Sequence, residues 1–261
     1  MLEAALLGLI QGITEWLPVS SEGVVTAVHT FAFDSSLDEA VAFSLWLHLG
    51  TVFSVLLALR GEIVQVARDA GASPLKPTRF VAFVVVGTLV SGAVGFPLLV
   101  GLNEVSDRFG ALAMGIVGVL MLVTGGVQIA GRESGVRTRD DASLIDAALT
   151  GIAQGFAALP GLSRSGLTVA VLLARNVDRR EALVLSFLLS VPASLGAGFY
   201  AALSDDMAMS GSAFVAVAVA AVVGFATIRA LMAVAERVNF AYFVMAVGVS
   251  IVAGAVWQGL R

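Results

Sequence analysis

The chain has 261 residues, 58% hydrophobic and only 13% charged, far from the roughly half-apolar, quarter-charged makeup of a water-soluble domain. Apolar runs of about twenty residues recur along it, so a soluble globule is excluded and one all-α membrane domain over 1–261 is expected. With no Cys, two histidines and a net charge of −4, disulfides, thiolate chemistry and a histidine metal centre are excluded, and nucleic-acid binding finds no support.

In chain order, the N-terminus lacks the basic start of a secretory signal, so the first apolar stretch is expected to belong to the mature protein. Residues 2–33 are apolar but broken by Pro18, Ser20, Ser21 and Glu22, which lipid-facing backbone does not tolerate. The segment reads as a re-entrant helix–loop–helix. Gln11 and Glu15, four apart, share one helical face, and Pro18 ends that helix, leaving Ser20, Ser21 and Glu22 where backbone amides are free. Ionisable residues in hydrophobic segments are expensive, which makes Glu15 and Glu22 functional candidates, with a helix cap or interfacial carboxylate as the plain alternative. Spans follow at 41–59, 80–101 and 109–130. His48, in the first of them, is as compatible with a satisfied core position as with a contact to the hairpin, and His29 is less persuasive.

A second broken apolar segment, 144–174, carries Pro160-Gly161-Leu162-Ser163-Arg164-Ser165-Gly166. A Gly- and Ser-rich loop entering a helix N-terminus is an oxyanion cradle, because exposed N–H groups and the helix dipole both favour negative charge. Arg164 adds a guanidinium whose planar fork matches two phosphate oxygens and whose burial demands an anion or a glutamate. A purely structural Arg164–Glu15 pair leaves the flanking Ser and Gly unexplained. Spans at 182–203, 213–229 and 239–257 complete the chain. In the first of these, Ser186, Ser190, Pro192 and Ser194 suggest a kinked helix beside the site, although small residues at helix contacts explain them equally well.

Twelve of the fifteen basic residues fall in the loops 60–79, 131–142, 175–181 and 229–238, whereas 34–40, 102–108 and 204–211 hold one. Under the positive-inside rule this gives six transmembrane helices plus two re-entrant hairpins, with an extracytoplasmic N-terminus in the cell membrane. Hairpin plus three spans then occurs twice from opposite faces, an inverted-topology repeat with units at about 1–130 and 144–258. Gly8-Leu-Ile-Gln11-Gly12 answers to Gly151-Ile-Ala-Gln154-Gly155, and Pro18, Ser20, Ser21 and Gly23 answer loosely to Pro160, Ser163, Ser165 and Gly166. Entry from opposite faces brings the two tips together near mid-membrane. Gly87, Gly92 and Gly95 permit close packing within the chain or in a homodimer.

At these residues the chain resembles the undecaprenyl-diphosphate phosphatase family, also called the bacitracin-resistance family. Gln11-xxx-Glu15 is similar to its Glu/Gln-xxx-Glu motif, Leu17-Pro18-Val19-Ser20-Ser21 to the loop that follows, and Pro160 to Gly166 to its second signature; Ser186 to Pro192 resembles a further stretch. The resemblance implies hydrolysis of a polyprenyl diphosphate to the monophosphate, a site opening outward, and a divalent cation, Mg²⁺ or Ca²⁺. It also implies Glu15 as acid/base or metal-binding carboxylate and Gln11 as its polar companion. Ser21 would be the nucleophile, and Ser163 and Arg164 would hold the diphosphate together with Ser20, Gly161, Ser165 and Gly166. The family commonly has Thr-Gly-His where this chain has Glu22-Gly23-Val24, so either Glu22 serves as base or second metal ligand or the substrate or activity differs. Inverted repeats with broken helices are equally the plan of transporters, and a lipid-phosphate flippase or anion carrier is the competing expectation. A degenerate relative without activity fits poorly with Glu15, Ser21 and Arg164 all being present.

Overall fold

A computed structural model describes residues 1–72, 77–130, 135–204, 207, 209–235, 237–238 and 240–259, without the side chains of 102–113, 235, 258 and 259. Among these residues it is all-helical: α1 (Leu2–Thr14), α2 (Ser21–Phe33), α3 (Leu37–Ala58), α4 (Arg60–Ala72), α5 (Arg79–Ile129), α6 (Leu144–Phe156), α7 (Arg164–Ala174), α8 (Arg179–Leu203), α9 (Gly211–Ala235) and α10 (Ala241–Gly259). A 3₁₀ turn at Arg139–Asp141 and one bridge between Arg137 and Val177 are the other regular features described.

Leu37–Ala58, Arg79–Gly101, Arg179–Leu203 and Gly211–Val234 are long and apolar enough to cross a bilayer, while Met114–Ile129 and Ala241–Trp257 are shorter. Large apolar side chains such as Leu89, Phe96, Phe199, Leu203, Val222 and Tyr242 stand exposed, as they do on a surface that meets lipid rather than water. The four hairpin helices have 11 to 13 residues; at 1.5 Å per residue each covers only about 20 Å, too little for a crossing of about 30 Å.

Two expectations need correction. The loop predicted over 60–79 contains α4, a helix with no fully buried residue, whose Ile63 and Val66 lie against the core. The loop predicted over 102–108 is helical, so the expected spans 80–101 and 109–130 belong to one 51-residue element. That element is not a straight rod. Gly95 packs on Ala158, while the carbonyl of Val117 lies against Gly161. Ala158 and Gly161 are three residues apart, which places residues 95 and 117 within about 25 Å of each other, whereas 22 residues of straight helix would span about 33 Å. α5 therefore bends between them, in the stretch that begins at Pro97, a residue that removes a helical hydrogen bond.

The two hairpins are seated in the same way. Gly8 and Gly12 bring α1 against the backbone of α9 at Ala216, Ala220 and Gly224, while Gly151 and Gly155 bring α6 against α5 at Gly87 and Gly95. A Cβ at Gly12 would stand 2.9 Å from Gly224 N, and one at Gly155 would stand 3.0 Å from Gly95 N. Without water to drive association, such close approach is what holds membrane helices together.

Five of the loops gather into two groups. Arg139 Nε donates to Glu181 Oε2 at 2.5 Å and its guanidinium reaches Glu62 at 3.5 Å; Arg137 and Arg175 grip buried Asp146 at 2.7 and 2.6 Å. Three of the basic loops thus touch one another. Glu181 raises the Arg139 guanidinium above its usual range, and the Thr138 backbone N–H and hydroxyl hold the Asp141 carboxyl below its own. Elsewhere Met1, Glu3, Glu39, Met207 and Ser210 line one cleft, which unites the N-terminus with two of the acid-rich loops. Lys76, Arg132, Asp205 and Asp206, which entered the charge count, lie outside the described residues, as do the side chains of Glu104, Asp107 and Arg108.

Candidate functional site

The two hairpin tips meet. α1 runs to Thr14 and places Glu15 at its C-terminal end; the chain turns through Pro18, and Ser20 caps α2 by accepting from Gly23 N at 3.1 Å. The second tip repeats this: Ser163 caps α7 by accepting from Gly166 N at 3.1 Å. Both returning helices start at the junction, so two helix N-termini with their partial positive charge converge on one spot.

Hydrogen bonds sew the tips together. Gly161 N donates to Ser20 Oγ at 3.1 Å and Ser165 Oγ donates to the carbonyl of Leu17 at 3.0 Å. α5 closes the junction from behind: Thr124 Oγ1 donates to the Gly161 carbonyl and accepts from Ser163 N, each at 3.1 Å, and Gln128 binds the carbonyl of Pro18. Gly161 sits at φ +102°, and a Cβ there would strike the Val117 carbonyl. We expect Gly161→Ala to cost about 1–3 kcal/mol in backbone strain alone, read as a melting temperature lowered by several degrees together with loss of activity.

At the centre lies an ion pair between Glu15 Oε1 and Arg164 Nη2, residues 149 apart in sequence that arrive from different hairpins. Glu15 Oε2 collects three more groups: Ser21 Oγ donates at 2.7 Å, Gln11 Nε2 donates at 3.0 Å, and His48 Nε2 stands 3.4 Å away. Arg164 is backed by the Phe187 ring, 5.8 Å below its guanidinium carbon, and reaches the Ser186 carbonyl at 3.5 Å. Trp16 buttresses Phe187 edge-on at 5.6 Å. The stretch of α8 around Pro192 is thus beside the site, and Ala193, Ser194 and Ala197 form one of its walls.

A cavity of about 110 Å³ opens here, lined by Glu15, Ser20, Ser21, Glu22, Ser163, Arg164 and Ser165 among others. It has room for several water-sized groups, hence for a phosphoryl group but not for a long prenyl chain. Glu22 is buried, and its Oε1 has no hydrogen-bond partner among the described residues. A buried polar atom left without a partner is costly, so its retention points to something the cavity receives.

Seven of the ten candidate residues therefore line one cavity. The other three have supporting places. Gln11 is fully buried and touches Glu15; Gly161 supplies the turn; Gly166 donates its N–H to Ser163. The residue that sequence reasoning undervalued is His48, which lines the cavity from α3. Its only signal was a polar ring inside a span. His29 is elsewhere, paired with Glu3 at 3.0 Å.

Among known proteins, the family described as bacitracin resistance protein BacA matches residues 4–255. A protein of Methanococcoides burtonii named undecaprenyl-diphosphatase is 36% identical over 257 residues, 95% of each chain. Proteins of the same name from Methanothrix thermoacetophila (95% of this chain, 94% of the relative) and Haloarcula marismortui (92% of each) are also 36% identical.

Proposed function

The chain belongs to the bacitracin resistance protein BacA family, and from that premise we propose that it is a membrane phosphatase that removes the terminal phosphate of undecaprenyl diphosphate and releases the monophosphate lipid. One observation carries the reading at the level of chemistry: the cavity into which both helix N-termini point also holds the Glu15–Arg164 pair and the Ser21 hydroxyl.

Arg164 and the amides at the start of α7 neutralise the terminal phosphate, and the prenyl tail stays in lipid. Glu15, 2.7 Å from Ser21 Oγ, is in place to take a proton from that hydroxyl, or from a water standing where it stands. The nucleophile attacks the terminal phosphorus in line, the bridging P–O bond breaks, and the prenyl monophosphate departs with that bonding pair; where Ser21 attacks, a water then hydrolyses the phosphoserine to inorganic phosphate, and where water attacks, phosphate forms directly. Charge developing in the transition state meets donors already fixed in a water-poor pocket.

Two carboxyl groups against one guanidinium leave no surplus of positive charge for a diphosphate, which favours a bound divalent cation such as Mg²⁺ or Ca²⁺. Both oxygens of Glu15 face donors, whereas Glu22 Oε1 is unengaged; Glu22 is the fitter ligand of the two expected. Among the described residues no cluster of three His, Cys, Asp or Glu is arranged to hold a metal, so substrate oxygens would complete the shell, as is common for Mg²⁺. When bound, the cation would offset phosphate charge. A chelator is expected to abolish phosphate release and added Mg²⁺ to restore it. Glu22→Gln is expected to raise the cation concentration required by at least about tenfold, the loss that even an outer-shell change produces.

For the topology, we propose six crossings and two re-entrant hairpins, with the basic loops cytoplasmic and the site opening outward; the bend in α5 and the reciprocal seating of α1 and α6 support two inverted units. The natural chain lacks Cys, and Gly61 and Gly211 are exposed with open space around them. Gly211→Cys is expected to react with an impermeant maleimide on intact cells, and Gly61→Cys only after lysis. The reverse pattern would invert the orientation.

The proposal is tested by reconstituting purified protein with undecaprenyl diphosphate and measuring phosphate release. Inverted seating of two hairpins is also transporter architecture. Movement of prenyl phosphate between leaflets without hydrolysis would favour that second reading.

A further inference from the structure

The imidazole of His48 enters the cavity at the Glu15 oxygen that does not pair with the guanidinium. Its Nδ1 lies 2.8 Å from the carbonyl of Ser44, one turn back on α3, which fixes the ring's direction. Its Nε2 points at Glu15 Oε2 but stands 3.4 Å from it, well beyond the 2.7–2.9 Å or so of a committed N–H···O⁻ bond. Ser21 and Gln11 hold the same oxygen at 2.7 and 3.0 Å. Oε2 is thus satisfied without His48, and the loosest of its partners keeps more of its side chain open than Glu15 does, 13% against 4%.

From this arrangement, and resting on the proposed phosphatase reading, we propose that His48 is a substrate-contacting residue: with Nδ1–H committed to the Ser44 carbonyl, the ring meets the phosphate as imidazolium, and its Nε2–H donates to a non-bridging oxygen of the terminal phosphate that Arg164 also holds. Glu15 separates the two donors. A phosphoryl group set against Ser21 Oγ is then flanked by the guanidinium that pairs with Oε1 and by the imidazole beside Oε2. No proton is transferred from His48 in this role; it supplies a fixed donor whose hydrogen bond shortens as charge builds on the phosphoryl oxygens.

The test is steady-state phosphate release from undecaprenyl diphosphate in liposomes by the wild type, His48→Leu and His48→Gln, each with a thermal melt to establish folding. Leu keeps the bulk and removes the donor; Gln restores an N–H at similar reach. His48→Leu is expected to lose about 100-fold or more, the usual cost of one transition-state donor, chiefly in kcat, and His48→Gln to stay within about tenfold of the wild type. Added to Glu15→Gln, His48→Leu is expected to cause a further loss, because it acts on the phosphate and not through the carboxylate. A folded His48→Leu within threefold of the wild type, a His48→Gln as impaired as the Leu variant, or a double variant no worse than Glu15→Gln would each overturn the proposal. If the wild type itself releases no phosphate, the phosphatase reading fails, and the His48 contact is then decided by calorimetric binding of inorganic phosphate. A Kd weakened about tenfold in His48→Leu and unchanged in His48→Gln supports the contact, and an unchanged Kd in both refutes it.

Discussion

Arg164→Ala is expected to lower kcat for phosphate release by about 10²–10³ or more, the scale of removing one preorganised charged donor from a transition state. The guanidinium stands at the first position of α7, where the second tip enters its return helix, and it is held by Glu15, the Ser186 carbonyl and the face of Phe187. Its loss therefore acts twice. The phosphate loses its guanidinium, and Glu15 is left buried without its pair, which costs about 3–5 kcal/mol of stability in comparable sites. Arg164→Lys separates the two effects. It keeps a positive charge near Glu15 and restores most of the thermal stability, yet lacks the planar fork, so activity is expected to return only in part. Melting curves measured beside the kinetics distinguish a damaged fold from a damaged site.

Glu15→Gln is expected to reduce kcat by about 10²–10⁴, the range spanned by positioned acid–base groups. Gln is nearly isosteric, so the Gln11 and Arg164 neighbourhoods keep their volume while the acceptor for the Ser21 proton is weakened. The signature is a fall in kcat larger than any rise in KM. A loss confined to KM would assign Glu15 to binding, and the proton acceptor would have to be sought in Glu22.

Much of this was legible in the residue order because a bilayer restricts the options. Pro18 and Pro160, each followed by serines inside an apolar segment, marked the two turns, and the matching Gly8/Gly12 and Gly151/Gly155 marked the hairpins as related, though not that these glycines seat each one against its neighbour. Convergence of Glu15 and Arg164 followed from the expectation that the two turns enter from opposite faces and meet near the middle. What the order of residues concealed was tertiary in origin. Residues 102–108 read as a loop, yet the backbone there is helical; local polarity does not distinguish a bent helix from a break. His48 sits 33 residues beyond Glu15 on a separate helix, and no short-range pattern links the two. Gln11 and Glu15 sharing a face foretold their hydrogen bond at 3.0 Å, but not that Gln11 would be sealed behind the carboxylate, because burial depends on α9 packing over Gly12.

The central claim is that one carboxylate and one guanidinium, delivered by different hairpins, work as a unit. A double-mutant cycle on phosphate release from undecaprenyl diphosphate, with Glu15→Gln, Arg164→Ala and the combined variant, measures that directly. The combined variant is expected to be about as slow as the slower single variant, as for groups that act together. Losses that multiply across the two positions would mean that Glu15 and Arg164 act independently, and the shared site described here would not stand.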